Sequence, residues 1–234
     1  MSPGRPQLQE WRGGTARGSG VTGSSREAAC GAVESAPMSA MTAQHGADGK
    51  LRCPWAIGPW LTPYHDDEWG TALHEDRRLF ELLALEGAQA GLSWLTILKR
   101  REHYRRAFCG FDPAVVAGFG AQQLRELMAD PGVVRNRLKL ESVVANAAGV
   151  SRIQSELGSF DTYLWDRVDG EPVRNTWQCA TQVPAQTPLS VALAKDLARR
   201  GFRFVGPVTC YSFLQSAGLV IDHLVSCFRH SPND

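Results

Sequence analysis

Two short stretches near opposite ends of the chain carry the residues best suited to hold a metal ion. "HLVSC" sets His223 and Cys227 at i and i+4, and "CPWAIGPWLTPYHDDEWG" (53–70) supplies Cys53 and His65. On a helix, an i, i+4 pair shares one face a turn apart. That is half of a zinc site, and the two pairs together make Cys2His2. Four protein ligands leave no open position, so such an ion would be structural rather than hydrolytic. His230, three residues after Cys227, is a rival ligand. Four unrelated core residues would show the same spacing, and on spacing alone both readings stand.

The second candidate is a carboxylate. In "DRRLFELLALEGAQAG" (76–91), Leu79, Leu82 and Leu83 precede Glu86 by seven, four and three positions, which puts Glu86 on the apolar face of a helix. A carboxylate there is costly unless it is paired or used. A partner arginine, a cluster of backbone amides or an edge position would account for it structurally. "GLSWL" follows at once and brings Trp94 close to the same acid. An acid beside an indole suits a flat cationic ligand, through ion pairing and cation–π attraction.

The third is "LMADPGVVRNRLKLE", where Pro131 and Gly132 mark a short turn between two amphipathic helices. Backbone amides at the start of the second helix lack intrahelical partners, and Arg135, Arg137 and Lys139 lie beside them, so the turn could cradle a phosphate. Any helical hairpin with a solvated basic end has the same pattern.

The elements that must position these groups read as helices. They cover 76–91, 93–108 with Ser93 as cap, 112–119 with Asp112 as cap and Pro113 first, the pair around 121–150, 159–168 with Ser159 or Asp161 as cap, 190–201 and 206–228. Alternating strand patterns are scarce and internal repeats absent, so the expected class is all-α. Residues 1–48 are rich in Gly, Ser, Ala and Arg without apolar periodicity and read as a disordered tail, with Met38 and Met41 as alternative starts; the folded domain is 49–234. The aromatics of 55–69 divide between core packing (Trp55, Trp60) and a pocket (Tyr64, Trp69), while Asp66, Asp67 and Glu68 read as a solvated turn or cap.

With 43% hydrophobic and 21% charged residues the chain can bury a real core. A net charge of +1 excludes a global basic field, so nucleic acid would meet local patches such as "LKRREHYRR" (98–106). Six cysteines without a CxxC pair suggest a reducing compartment. No apolar run approaches the ~20 residues of a membrane span, and the expected location is the bacterial cytoplasm.

Taken together, "YHDDEWG", "LEGAQAGLSWLTILKRRE", "GVVRNRLK" and "RGFRFVGPVTCYSFLQSAGLVIDH" with Cys227 resemble the 3-methyladenine DNA glycosylase I family, within the helix-hairpin-helix glycosylases, from about Arg52 to His230. The resemblance implies a helical domain clipped by a structural zinc on Cys53, His65, His223 and Cys227. It also implies that Glu86 reads the damaged base in a pocket walled by Tyr64, Trp69 and Trp94. Leu92 matches a wedge entering the duplex, with Gly91 beside it as a DNA contact, and Gly132, Arg135 and Arg137 match the phosphate-binding hairpin. The implied activity is excision of N3-methyladenine from double-stranded alkylated DNA by a monomeric, monofunctional hydrolase. The chain departs from the pattern at "PGVVRN", which lacks the two-glycine form common in the superfamily, and at Trp60 and Leu61, where some members carry a further tyrosine. Asp161 reads as a helix cap rather than a water-activating base, and no lysine stands out as a nucleophile. A non-catalytic, zinc-stapled damage binder is the rival: it needs the basic hairpin but no buried acid among rings.

Overall fold

The computed structural model describes residues 42–230. Those residues are mostly helical. α1 (Leu61–Asp67) and α2 (Asp76–Gln89) lead to α3 (Trp94–Leu98), α4 (Arg101–Ala107), α5 (Pro113–Ala117) and α6 (Ala121–Ala129). α7 (Arg137–Leu157), α8 (Phe160–Trp165), α9 (Pro188–Arg199) and α10 (Pro207–Ser216) complete the set. Two two-residue strand pairs join them: β1 (Gln44–His45) runs antiparallel to β2 (Leu51–Arg52), and β3 (Val173–Arg174) runs parallel to β4 (Val220–Ile221).

α2 is the central rod. Ten of its residues are buried, from Leu79 to Ala88, and it packs on α7, α8 and α10. Its leucines explain this burial, because they surround the helix rather than forming one stripe. α7 passes close to the 202–205 segment at Gly149, where an added Cβ would lie 2.3 Å from the Phe202 ring. Beside this main core sits a second, smaller one made of Cys53, Tyr64, Trp69, Leu98, Leu224 and Cys227.

Several expectations need correction. The tail assigned to residues 1–48 stops short: Gln44 and His45 pair with Arg52 and Leu51, and the Asp48 carboxylate accepts from Arg52 at 2.7 Å. Residues 1–41 lie outside the described residues. The 93–108 helix is two, because the chain tightens at Arg100, whose amide bonds Ile97 O while its side chain reaches Pro131 O at 2.6 Å. Ser159, not Asp161, caps α8. The last helix ends at Ser216 rather than 228. Gly218 takes φ +74°, and an added Cβ there would meet the Thr71 backbone at 2.4 Å. Hence "HLVSC" is a turn, and its i, i+4 helical geometry does not exist. Trp60, expected in the core, is 49% exposed.

Candidate active site

Glu86 is buried in the middle of α2 and reaches a cavity of about 520 Å³. Trp55, Tyr64, Trp69 and Trp94 line the same cavity. Trp55 and Trp69 pack edge to face with centroids 5.0 Å apart at 79°, and Tyr64 lies 5.3 Å from Trp94 at a 50° tilt. The Ser216 hydroxyl donates to Glu86 Oε1 at 2.7 Å and accepts from the Tyr64 phenol at 3.0 Å. Burial pushes the Glu86 carboxyl up to about 7, opposed only by the hydrogen bond from Ser216. Burial raises the Tyr64 phenol too, with the nearby Glu86 carboxylate adding to the effect. A carboxylate so placed is poised to ionise when a cation arrives.

Cys53, His65, His223 and Cys227 form a buried cluster whose ligand atoms all lie within 4.8 Å of one another. His65 turns Nε2 inward because its Nδ1 is held by Asp66 at 2.8 Å, and Asp66 is held in turn by Arg52. His223 turns Nδ1 inward because its Nε2 is held by Trp69 O at 3.0 Å. Each imidazole thus has its outer nitrogen fixed and its inner one free for an ion, the arrangement expected of metal-binding histidines. The Cys227 thiol is pushed down, first by the hydrogen bond with Cys53 and then by the two imidazoles. The set could hold a metal ion. His230 is no part of it; its ring bonds His223 O instead. Asp66, expected as a solvated turn, is half-buried and ion-paired with Arg52, and Glu68 bonds Arg101 at 2.6 Å.

The candidate DNA contacts lie on the loop after α2 and the α6–α7 turn. Gly91 takes φ +77°, which a glycine tolerates and other residues resist, and Leu92 beside it is 41% exposed. Ser93 caps α3 through Thr96 N. In the turn, Gly132 lies so close to His103 that an added Cβ would clash at 2.3 Å. Asn136 caps α7 through Lys139 N, and the amides of Arg135, Arg137 and Leu138 have no partner among the described residues. Arg137 is engaged by Glu141 at 2.7 Å, while Lys139 is buried and donates to Ala88 O at 2.8 Å and Ala90 O at 2.5 Å. Lys139 is thus a brace between the two regions rather than a phosphate contact.

Sequence reasoning missed two cavity residues, Ser216 and Asp222. Asp222 is buried and accepts from Asn175, Trp177, Gln215 and, over a very short contact, Tyr211. Both sat in a string read as one helix, so no signal separated them from core positions. Asp161 is remote from the cavity lining and bonds His74 at 2.9 Å.

Residues 55–230 match the family model described as methyladenine glycosylase. The chain is 41% identical over 183 residues to DNA-3-methyladenine glycosylase 1 of Escherichia coli K12, covering 78% of this chain and 98% of that protein. It is 44% identical over 177 residues to DNA-3-methyladenine glycosylase of Haemophilus influenzae, covering 75% and 96%. A crystal structure of 3-methyladenine DNA glycosylase I superposes with TM-score 0.75 at 42% identity, over 77% of this chain and all of that one. A Staphylococcus aureus structure that concerns 3-methyladenine recognition superposes at 0.73 and 42% identity, covering 76% and 94%.

Proposed function

The chain belongs to the methyladenine glycosylase family, and from that membership we propose that it excises N3-methyladenine from alkylated double-stranded DNA by hydrolysing the N-glycosidic bond. One observation carries the reading: a buried carboxylate, Glu86, shares one cavity with Tyr64, Trp69 and Trp94. Alkylation at N3 makes adenine cationic and weakens its bond to the sugar. The enzyme must extrude the nucleotide, at a few kcal/mol of unstacking, and hold the cation among electron-rich rings. Glu86 then faces a positive charge, which favours its ionised form and stabilises the base in the cavity. As the bond breaks, charge moves to the sugar as an oxocarbenium-like centre, and the carboxylate and ring faces offset it. No lysine lines the cavity among the described residues, and the Lys139 amine is tied to two carbonyls. That supports base release without strand cleavage, and borohydride trapping should yield no covalent adduct with DNA.

Zinc is the ion that fits the cluster. Tetrahedral bonds of ~2.0 Å to nitrogen and ~2.3 Å to sulfur set neighbouring ligand atoms about 3.3 to 3.8 Å apart. Four of the contacts among these nitrogens and sulfurs run from 3.2 to 3.8 Å. Cys53, His65, His223 and Cys227 would hold it with no position left for water, so its chemistry is a clip and not a Lewis acid at the sugar. Leu92 and Gly91 serve as the wedge, and the amides before α7 with Arg135 serve as the phosphate grip of a helix-hairpin-helix element. A monomer acting on chromosomal DNA in the cytoplasm completes the reading.

The test is incubation with methylated duplex DNA and chromatography of released bases. Release of 3-methyladenine by the wild type, and its loss on Glu86→Gln, supports excision. No release by the wild type would leave only the damage-binding reading, and unchanged release by Glu86→Gln would remove Glu86 from the mechanism.

A further inference from the structure

Ser216 is the last residue of α10, and three contacts fix where it stands. Gly70 N bonds Gln215 O at 3.0 Å, Leu73 N bonds Ala217 O at 3.1 Å, and Gly218 lies against the Thr71 backbone too closely for any side chain. The Ser216 side chain is buried, and its oxygen sits between the Tyr64 phenol at 3.0 Å and Glu86 Oε1 at 2.7 Å. Since the phenol donates to it, its own proton is left for Glu86. Among the described residues this is the one hydrogen bond to the Glu86 side chain, and Oε2 has none.

We propose that Ser216 is a positioning residue for base excision: its hydroxyl orients the Glu86 carboxylate with Oε1 anchored and Oε2 left for the base, and locks the Tyr64 ring as the facing wall. The proposal rests on the glycosylase reading and adds to it a residue that acts through Glu86 and Tyr64. Donation by a hydroxyl favours the ionised form of a buried acid, which is the form a cationic base requires. The other charged or titratable groups around Glu86 are the Tyr64 phenol on α1, with the Glu68–Arg101 pair behind it, and Asp222 after β4 and the Cys53 thiol before α1 on the cavity wall. None of these donates to Glu86, so the serine hydroxyl has no substitute.

The experiment measures kcat/KM for 3-methyladenine release from methylated duplex between pH 5.5 and 9, for wild type, Ser216→Ala and Ser216→Thr. The acid limb should report Glu86 ionisation in the free enzyme. Ser216→Ala should move that limb up by about one pH unit and lower kcat/KM about tenfold on its acid side, with a much smaller loss on the alkaline plateau. Ser216→Thr keeps the hydroxyl and should retain the wild-type limb. A uniform fall across all pH values with an unmoved limb would mean that Ser216 only packs, and the proposal would be overturned. If the alanine variant is insoluble, Ser216→Gly removes the same hydroxyl and is judged by the same shift. A wild type that releases no base removes the glycosylase reading itself, which separates that failure from a failure at Ser216.

Discussion

A single carboxylate sets the balance between stability and activity here. Glu86 ionises near 7 when folded, against an ordinary value of 4.5. Between those values the folded chain keeps a proton that the unfolded chain has released, so stability falls as pH rises through the window and the loss is complete above about 7. At pH 8 the ionised side chain therefore costs the fold about 3 kcal/mol. Glu86→Gln should raise the melting temperature at pH 8 by several degrees, with little change at pH 4, while base release falls at least ~100-fold. Calorimetry at the two pH values with a release assay checks both halves; a destabilised glutamine variant at pH 8 would contradict the burial argument. The inward position of Glu86 was legible from leucines three, four and seven residues before it. Ser216 was not, because a serine at the end of an apolar helix carries no mark of the partner that it meets from another element.

At the level of elements, the loop that displays Leu92 is held from behind. Lys139 fastens the carbonyl end of α2 to the start of α7, where a cation at a helix C-terminus is favoured. Lys139→Met leaves two carbonyls without a donor and should cost about 2–3 kcal/mol in denaturant unfolding, together with slower excision from duplex. Leu92→Ala should reduce excision from duplex while binding of free 3-methyladenine, followed by tryptophan fluorescence, stays unchanged. Equal loss in both assays would place Leu92 in the cavity instead. Several helix starts were legible, since Ser93, Asp112 and Ser159 cap as residues of their kind do. Helix ends were less so. Gly218 stops α10 through a positive φ and a close backbone approach, and only the second is invisible in one sequence. A glycine in "SAGLVID" was the available stop signal, and the apolar residues after it outweighed it.

For the whole molecule, the Cys and His cluster joins α1 and its flanking residues to the turn after β4. Those same segments supply Tyr64, Trp69 and Leu224 to the smaller core. Chelation, or Cys53→Ser, should therefore abolish binding of free base while most far-UV helical signal persists, because the larger core around α2 and α7 does not draw on the cluster. Circular dichroism beside a fluorescence titration tests this; simultaneous collapse of both signals would mean one cooperative unit. The four ligands were legible as types, but their convergence was argued from a helix that is really a turn. What brings them together is the parallel pairing of Val173–Arg174 with Val220–Ile221 and the contacts of Gly70 and Gly218, long-range features that no local pattern encodes.

The two halves of that cluster also fix an order of events during synthesis. Cys53 and His65 leave the ribosome early, and Glu86 soon after, but the cavity lacks part of its lining until Asp222 and Leu224 have emerged. Until then the rings of Tyr64 and Trp69 lack Leu224 and Cys227, the late residues of the smaller core that packs against them.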